Sequence, residues 1–101
     1  MSDMVKLAEK EIFRMEALRL LNSAVPVGCS HQVLEAALKK LGLDTGELPR
    51  ELSWLQGKGL IRMEHAENRR LGIERDVYFI TSEGMDYLDG TGEDIPGIGV
   101  D

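Results

Sequence analysis

The sequence predicts an α+β domain, mainly helical: a long N-terminal helix, two shorter helices, a two-stranded β-hairpin and a short closing helix. Three observations predict it. Residues 3–22 contain neither Gly nor Pro and are rich in Ala, Leu, Glu, Lys and Arg, the composition of a long helix. Leucines then recur at helical spacing between Gly and Pro breaks. Finally Asp76-Val77-Tyr78-Phe79-Ile80-Thr81 is β-branched and aromatic, and it follows a weakly alternating run at residues 60–66. With 101 residues and 43% hydrophobic content, the chain fits one domain with one small core. The expected division is a folded unit at residues 1–90 and an acidic, Gly-rich tail at 91–101.

The first helix carries two apolar clusters. At 100° per residue, Met4, Val5, Ala8, Ile12 and Met15 gather on one side, and Phe13, Ala17, Leu20, Leu21 and Ala24 on a side about 160° away. A small domain has room to bury one of them. The later cluster is expected in the core. The earlier one is expected to form a homodimer interface, because an exposed apolar stripe at three- and four-residue spacing suits helix-on-helix packing and methionines adapt to a contact. The alternative is that these first residues fray, or that the stripe folds back on its own hairpin.

Val25-Pro26-Val27-Gly28 breaks the chain. Ser30 is placed to cap a second helix carrying Val33, Leu34, Ala37, Leu38 and Leu41, which Gly42 closes. A third helix follows, with Leu48, Leu52 and Leu55 on one face. Pro49 is expected at its first helical position and Gln56 at its end. Leu52 and Leu55 are expected to pack on Val33, Leu38 and Leu20, and Trp54 to lie partly packed at the hairpin base. Residues 67–75 read as a long polar hairpin tip. Thr81 or Ser82 then caps a short helix that Gly90 ends. Residues 91–101, with three glycines and a proline, are expected to be mobile or to dock on a partner.

The net charge is −6, but residues 1–75 carry +1 and residues 76–101 hold seven acids and no base. The body of the domain therefore permits phosphate contacts, which need clustered Lys and Arg. No apolar run is long enough to span a membrane, and Met1-Ser2-Asp3-Met4 lacks a signal-peptide pattern. A single cysteine, Cys29, is the usage of a reducing cytoplasm. Cys29, His31 and His65 do not have zinc-ligand spacing; a half-buried thiol and two surface histidines are expected, with neither metal nor cofactor. No nucleophile triad or phosphate loop has local support, so an enzyme is not expected.

The segment Arg50-Glu51-Leu52-Ser53-Trp54-Leu55-Gln56-Gly57-Lys58-Gly59-Leu60-Ile61 resembles the recognition-helix-to-wing segment of winged helix-turn-helix proteins, with the rhythm L-x-x-L-x-x-x-G-L-I. Phe79-Ile80-Thr81-Ser82-Glu83-Gly84 resembles their return strand and last-helix start. More narrowly, Leu52-Ser53-Trp54-Leu55, Gly84-Met85-Asp86-Tyr87-Leu88-Asp89-Gly90 and Ile95-Pro96-Gly97-Ile98 resemble the small ArsR-like proteins of Mu-like phages and prophages. The resemblance implies a winged helix-turn-helix fold with a two-stranded wing. The paired cysteines of metal-sensing members are absent, so metal sensing does not carry over. The tail has no basic residues, so it offers no hold on DNA.

The function expected from residues and resemblance together is non-catalytic, sequence-selective binding of double-stranded DNA by a cytoplasmic, phage-type transcriptional regulator. Arg50, Ser53 and Gln56 would face the major groove, where Arg and Gln read base edges, although an ordinary polar helix face has the same composition. Glu47 and Glu51 beside them oppose phosphate approach. Lys58, together with Arg69 and Arg70 at the hairpin tip, would reach phosphate or the minor groove, with Arg62 and Arg75 extending the strip. The alternative is a winged-helix protein–protein module of a phage or prophage with no DNA contact, its acidic C-terminal end docking a protein partner.

Overall fold

The computed structural model describes residues 2–99. The order of elements is α1 (Ser2–Ser23), β1 (Cys29–Ser30), α2 (His31–Lys40), α3 (Leu48–Gly57), β2 (Ile61–Asn68), β3 (Ile73–Ile80) and α4 (Ser82–Asp89). The strands form one antiparallel sheet in the order β1-β3-β2. The helices of the turn, α2 and α3, pack on α1 and on the sheet, and α4 returns to α1.

The core is a leucine cluster in which Leu18, Leu21, Leu34, Leu38, Leu48, Leu52, Leu55 and Leu60 are all fully buried. The expected inward faces of α2 and α3 supply most of it. Val33 departs from expectation: it is 54% exposed, because α2 turns only Leu34 and Leu38 fully inward. Leu20 sits at the core margin rather than within it.

Caps behave as their chemistry requires. The Val33 N–H donates to Ser30 Oγ (3.3 Å) and the Gly84 N–H to Thr81 Oγ1 (3.1 Å), so each hydroxyl satisfies an orphan donor of a first turn. Helix α3 begins at Leu48, with Pro49 inside its first turn, and runs through Gly57; both ends differ from expectation by one residue, the scale on which helix ends fray.

The hairpin is longer than its sequence suggests. The β2–β3 ladder runs from Ile61 opposite Ile80 out to Asn68 opposite Ile73, leaving only Arg69, Arg70, Leu71 and Gly72 as the tip. Residues 62–75 are exposed, so the outer strands have no buried face to impose an apolar/polar alternation. The two-residue strand β1 adds a third member to the sheet. Gly28 makes it possible: its φ is +78°, and a Cβ there would lie 2.6 Å from the Phe79 ring.

The C-terminal segment is not loose. Ile98 is 4% exposed and joins the core, the Gly99 N–H donates to the Glu11 carbonyl (3.0 Å), and Arg14 Nη1 donates to the Gly97 carbonyl (2.7 Å). The tail thus docks on α1 of its own domain; Val100 and Asp101 lie outside the described residues. This docking also corrects the division of α1. Met15, expected in an interface, is 9% exposed and belongs to the core together with Ile98. The rest of the stripe stays open, since Met4, Val5, Ala8 and Ile12 are exposed, Met4 at 76%. Leu7, outside both clusters, is exposed as well.

Candidate nucleic-acid interface

Helix α3 buries Leu48, Glu51, Leu52 and Leu55. That face leaves Arg50, Ser53 and Gln56 on the outside, where all three are exposed. Arg50 Nε lies 3.3 Å from Glu47 Oε2, an exposed i,i+3 pair that little energy holds together, so the guanidinium is available to a stronger anion. Lys58 follows at the helix end, exposed, with Nζ 5.4 Å from the Trp54 ring centroid.

Glu51 does not oppose phosphate from the surface, as its sequence position suggested. It is buried and its Oε2 pairs with Arg14 Nε, so its charge is cancelled inside the domain. Trp54 is half-buried against the core. The Arg14 guanidinium lies 3.9 Å from its ring centroid, and a Cβ on Gly97 would come within 2.9 Å of Cζ2. The indole is therefore held between α1 and the tail. Sequence reasoning passed over Arg14; it stands in the core-facing half of α1, flanked by Phe13 and Met15, and no local spacing links it to Glu51.

The second part of the site is the wing. Gly59, at φ +76°, turns the chain directly from α3 into β2, and the Leu60 N–H donates back to the Leu55 carbonyl (3.1 Å). The wing is thus anchored at the end of the same helix that carries Arg50, Ser53 and Gln56. At its far end Arg69 and Arg70 are exposed, and among the described residues neither has an ion-pair partner. The Leu71 N–H donates to Asn68 Oδ1 (3.2 Å) and Gly72 takes φ +64°, which together shape the tight tip.

The strands below the tip are mixed in charge. Glu67 faces Glu74 across the ladder. Arg62 does not extend the strip of the tip: its Nη1 is 2.6 Å from Glu64 Oε1 and its guanidinium covers the Phe79 ring at 4.2 Å. Arg75 is exposed. His65 Nδ1 lies 2.9 Å from Asp76 Oδ1, and that hydrogen bond, reinforced by the charges of Asp76, Glu74 and Glu67, raises the imidazole pKa above its ordinary value.

Cys29 is half-buried and burial raises its thiol pKa, which disfavours the thiolate. His31 Nε2 stands 3.7 Å from Glu35 Oε2. Among the described residues no three His, Cys, Asp or Glu side chains converge as a metal site would require, and no helix is long and apolar enough to cross a membrane.

No family model matches the chain, and no curated protein matches it. Among solved structures it is similar to a PadR-like transcription factor from Bacteroides fragilis, with a TM-score of 0.61 and 19% identity over 88% of this chain and 82% of that one. The likeness shows a common fold, of the winged helix-turn-helix class.

Proposed function

We propose that this winged-helix domain is a non-catalytic, sequence-selective DNA-binding regulator of the phage or prophage type, acting in the cytoplasm as a homodimer. The observation that carries the reading is the pair of arginines, Arg69 and Arg70, without an ion-pair partner among the described residues, at the exposed tip of a hairpin anchored directly to α3. A cationic tip supplies backbone contacts that set register, and Arg50, Ser53 and Gln56 on α3 are the types that read base edges. The PadR-like fold neighbour is described as a transcription factor, which supports the same reading. The dimer would pair the stripe of Met4, Val5, Ala8 and Ile12 between two copies of α1, so that two recognition helices meet successive turns of a palindromic site.

A second reading, a protein–protein module, is favoured by the carboxylates of Glu67 and Glu74 just below the tip and by the acids of the C-terminal quarter. Gel-shift titrations on random duplex DNA across a series of salt concentrations separate the two. A DNA binder loses affinity linearly in log[salt]; absence of any shift at low salt favours the protein partner.

A further inference from the structure

Between the first half of α1 and the start of α3, beside the link through Gly42, Leu43 and Asp44, lies an open cleft of about 630 Å³. Small-molecule sites fall in the range of roughly 300–1,000 Å³. Phe13 and Leu43 give the cleft apolar lining, while bases (Lys6, Lys10, Arg50) and acids (Glu9, Asp44, Glu47) share its rim. Glu51 also lines it. This residue is 2% exposed; its Oε2 is taken by Arg14, and its Oε1 is buried with no partner, alone in that condition among the described side chains. A buried acceptor left unmade is costly, and native proteins satisfy such atoms.

We propose that the cleft binds a small planar molecule that presents an N–H donor to Glu51 Oε1 and lays its ring against Phe13 and Leu43: an amidine, a carboxamide or an amino-heterocycle. An ionised carboxylate accepts hydrogen bonds and donates none, so the ligand must bring the proton. Arg14 already balances the charge of Glu51, so a neutral donor suffices and a cationic one gains from the charge-assisted bond. An anionic ligand would meet a carboxylate oxygen at the same point. Arg50 lines the rim of the cleft as well, so the site adjoins the proposed DNA-reading face of α3, but nothing in the ligand's recognition by Glu51, Phe13 and Leu43 rests on that reading.

The test is a ¹⁵N–¹H correlation titration of the full chain with three probes of one shape: benzamidine, benzamide and benzoate. Benzamidine and benzamide should shift the amide resonances of Phe13, Leu43 and Glu51 saturably, and benzoate should leave them in place. Equal shifts from all three, shifts from benzoate alone, or no saturable shift from the N–H probes would overturn the proposal. Glu51→Ala also strips Arg14 of its counter-charge and threatens the fold, so the second variant is Leu43→Trp, which fills the cleft from its link. It should weaken benzamidine binding by at least about tenfold with the resonances of the distant wing unmoved. Undiminished binding in that variant would place the probe elsewhere and overturn the assignment.

Discussion

Arg14 joins three parts of the molecule through one guanidinium: Glu51 on α3, the Gly97 carbonyl in the tail at 2.7 Å and the face of Trp54 at 3.9 Å. Both members of the ion pair are buried, so each depends on the other for its charge. Glu51→Ala leaves a buried cation without a counter-ion and should destabilise the domain by roughly 3–5 kcal/mol in urea unfolding. Replacing both, as Arg14→Met with Glu51→Leu, should cost much less, because the desolvation penalty leaves with the charges. Equal losses in the two variants would mean that side-chain volume, rather than charge, is what matters there. Its charge sets Glu51 among the surface groups beside Arg50 in the sequence, although its helical spacing with Leu48, Leu52 and Leu55 puts it on the buried face. Its partner was not legible, because the pairing spans 37 residues and no periodicity reaches that far. His65 offers a second test at this scale. Its folded pKa is raised by the Asp76 hydrogen bond, so the pairing stabilises the fold fully below the unfolded value of about 6.5. That contribution is lost as pH rises through the folded pKa. An NMR titration of the His65 ring should show a midpoint above 6.5, and Asp76→Asn should bring it down; an unchanged midpoint would rule out the bond as the cause.

At the scale of elements, the wing is where sequence and structure part most. Helices α2 and α3 were legible through leucine spacing, because each buries one face and that burial writes a period into the chain, and α2 and α4 through the caps of Ser30 and Thr81. The outer halves of β2 and β3 bury neither face, and residues such as Glu67, Asn68, Glu74 and Arg75 then read as loop. Strand β1 is too short to write any period and exists because Gly28 lets the backbone pass close to Phe79. The extended ladder holds Arg69 and Arg70 well beyond the core, which sharpens the expectation for them. Replacing both by Ala should weaken binding to all duplex sequences alike and reduce the slope of log K against log[salt] by the equivalent of up to about two phosphates. An unchanged slope would remove the wing from the interface.

For the whole molecule, the start of α1 is open to solvent, with residues 3–10 all exposed. The two-cluster pattern of α1 announced this, and it misassigned Met15, which joins a buried cluster that includes Ile98, because the tail carries too little apolar mass to read as part of a core. If the remaining stripe pairs two copies, Ile12→Asp should convert a dimer to a monomer in light scattering at micromolar concentration while leaving the melting temperature of the monomer unit nearly unchanged. A monomeric wild-type protein, or a dimer indifferent to that substitution, would dismiss the interface.

The tail closure has a kinetic consequence. Gly97 meets Arg14 across 83 residues of sequence, and nearly the entire chain must be gathered before that contact forms. Ring closure of such length is entropically unfavourable in a loose ensemble and becomes easy once the leucine cluster has assembled. The strap of Ile98 is therefore expected to settle after the rate-limiting barrier. In stopped-flow chevrons, Ile98→Ala should raise the unfolding rate and leave the refolding rate almost untouched. A refolding limb slowed in proportion to the stability lost would instead put the C-terminal strap in the folding nucleus, and the two ends of the chain would then have to find one another first.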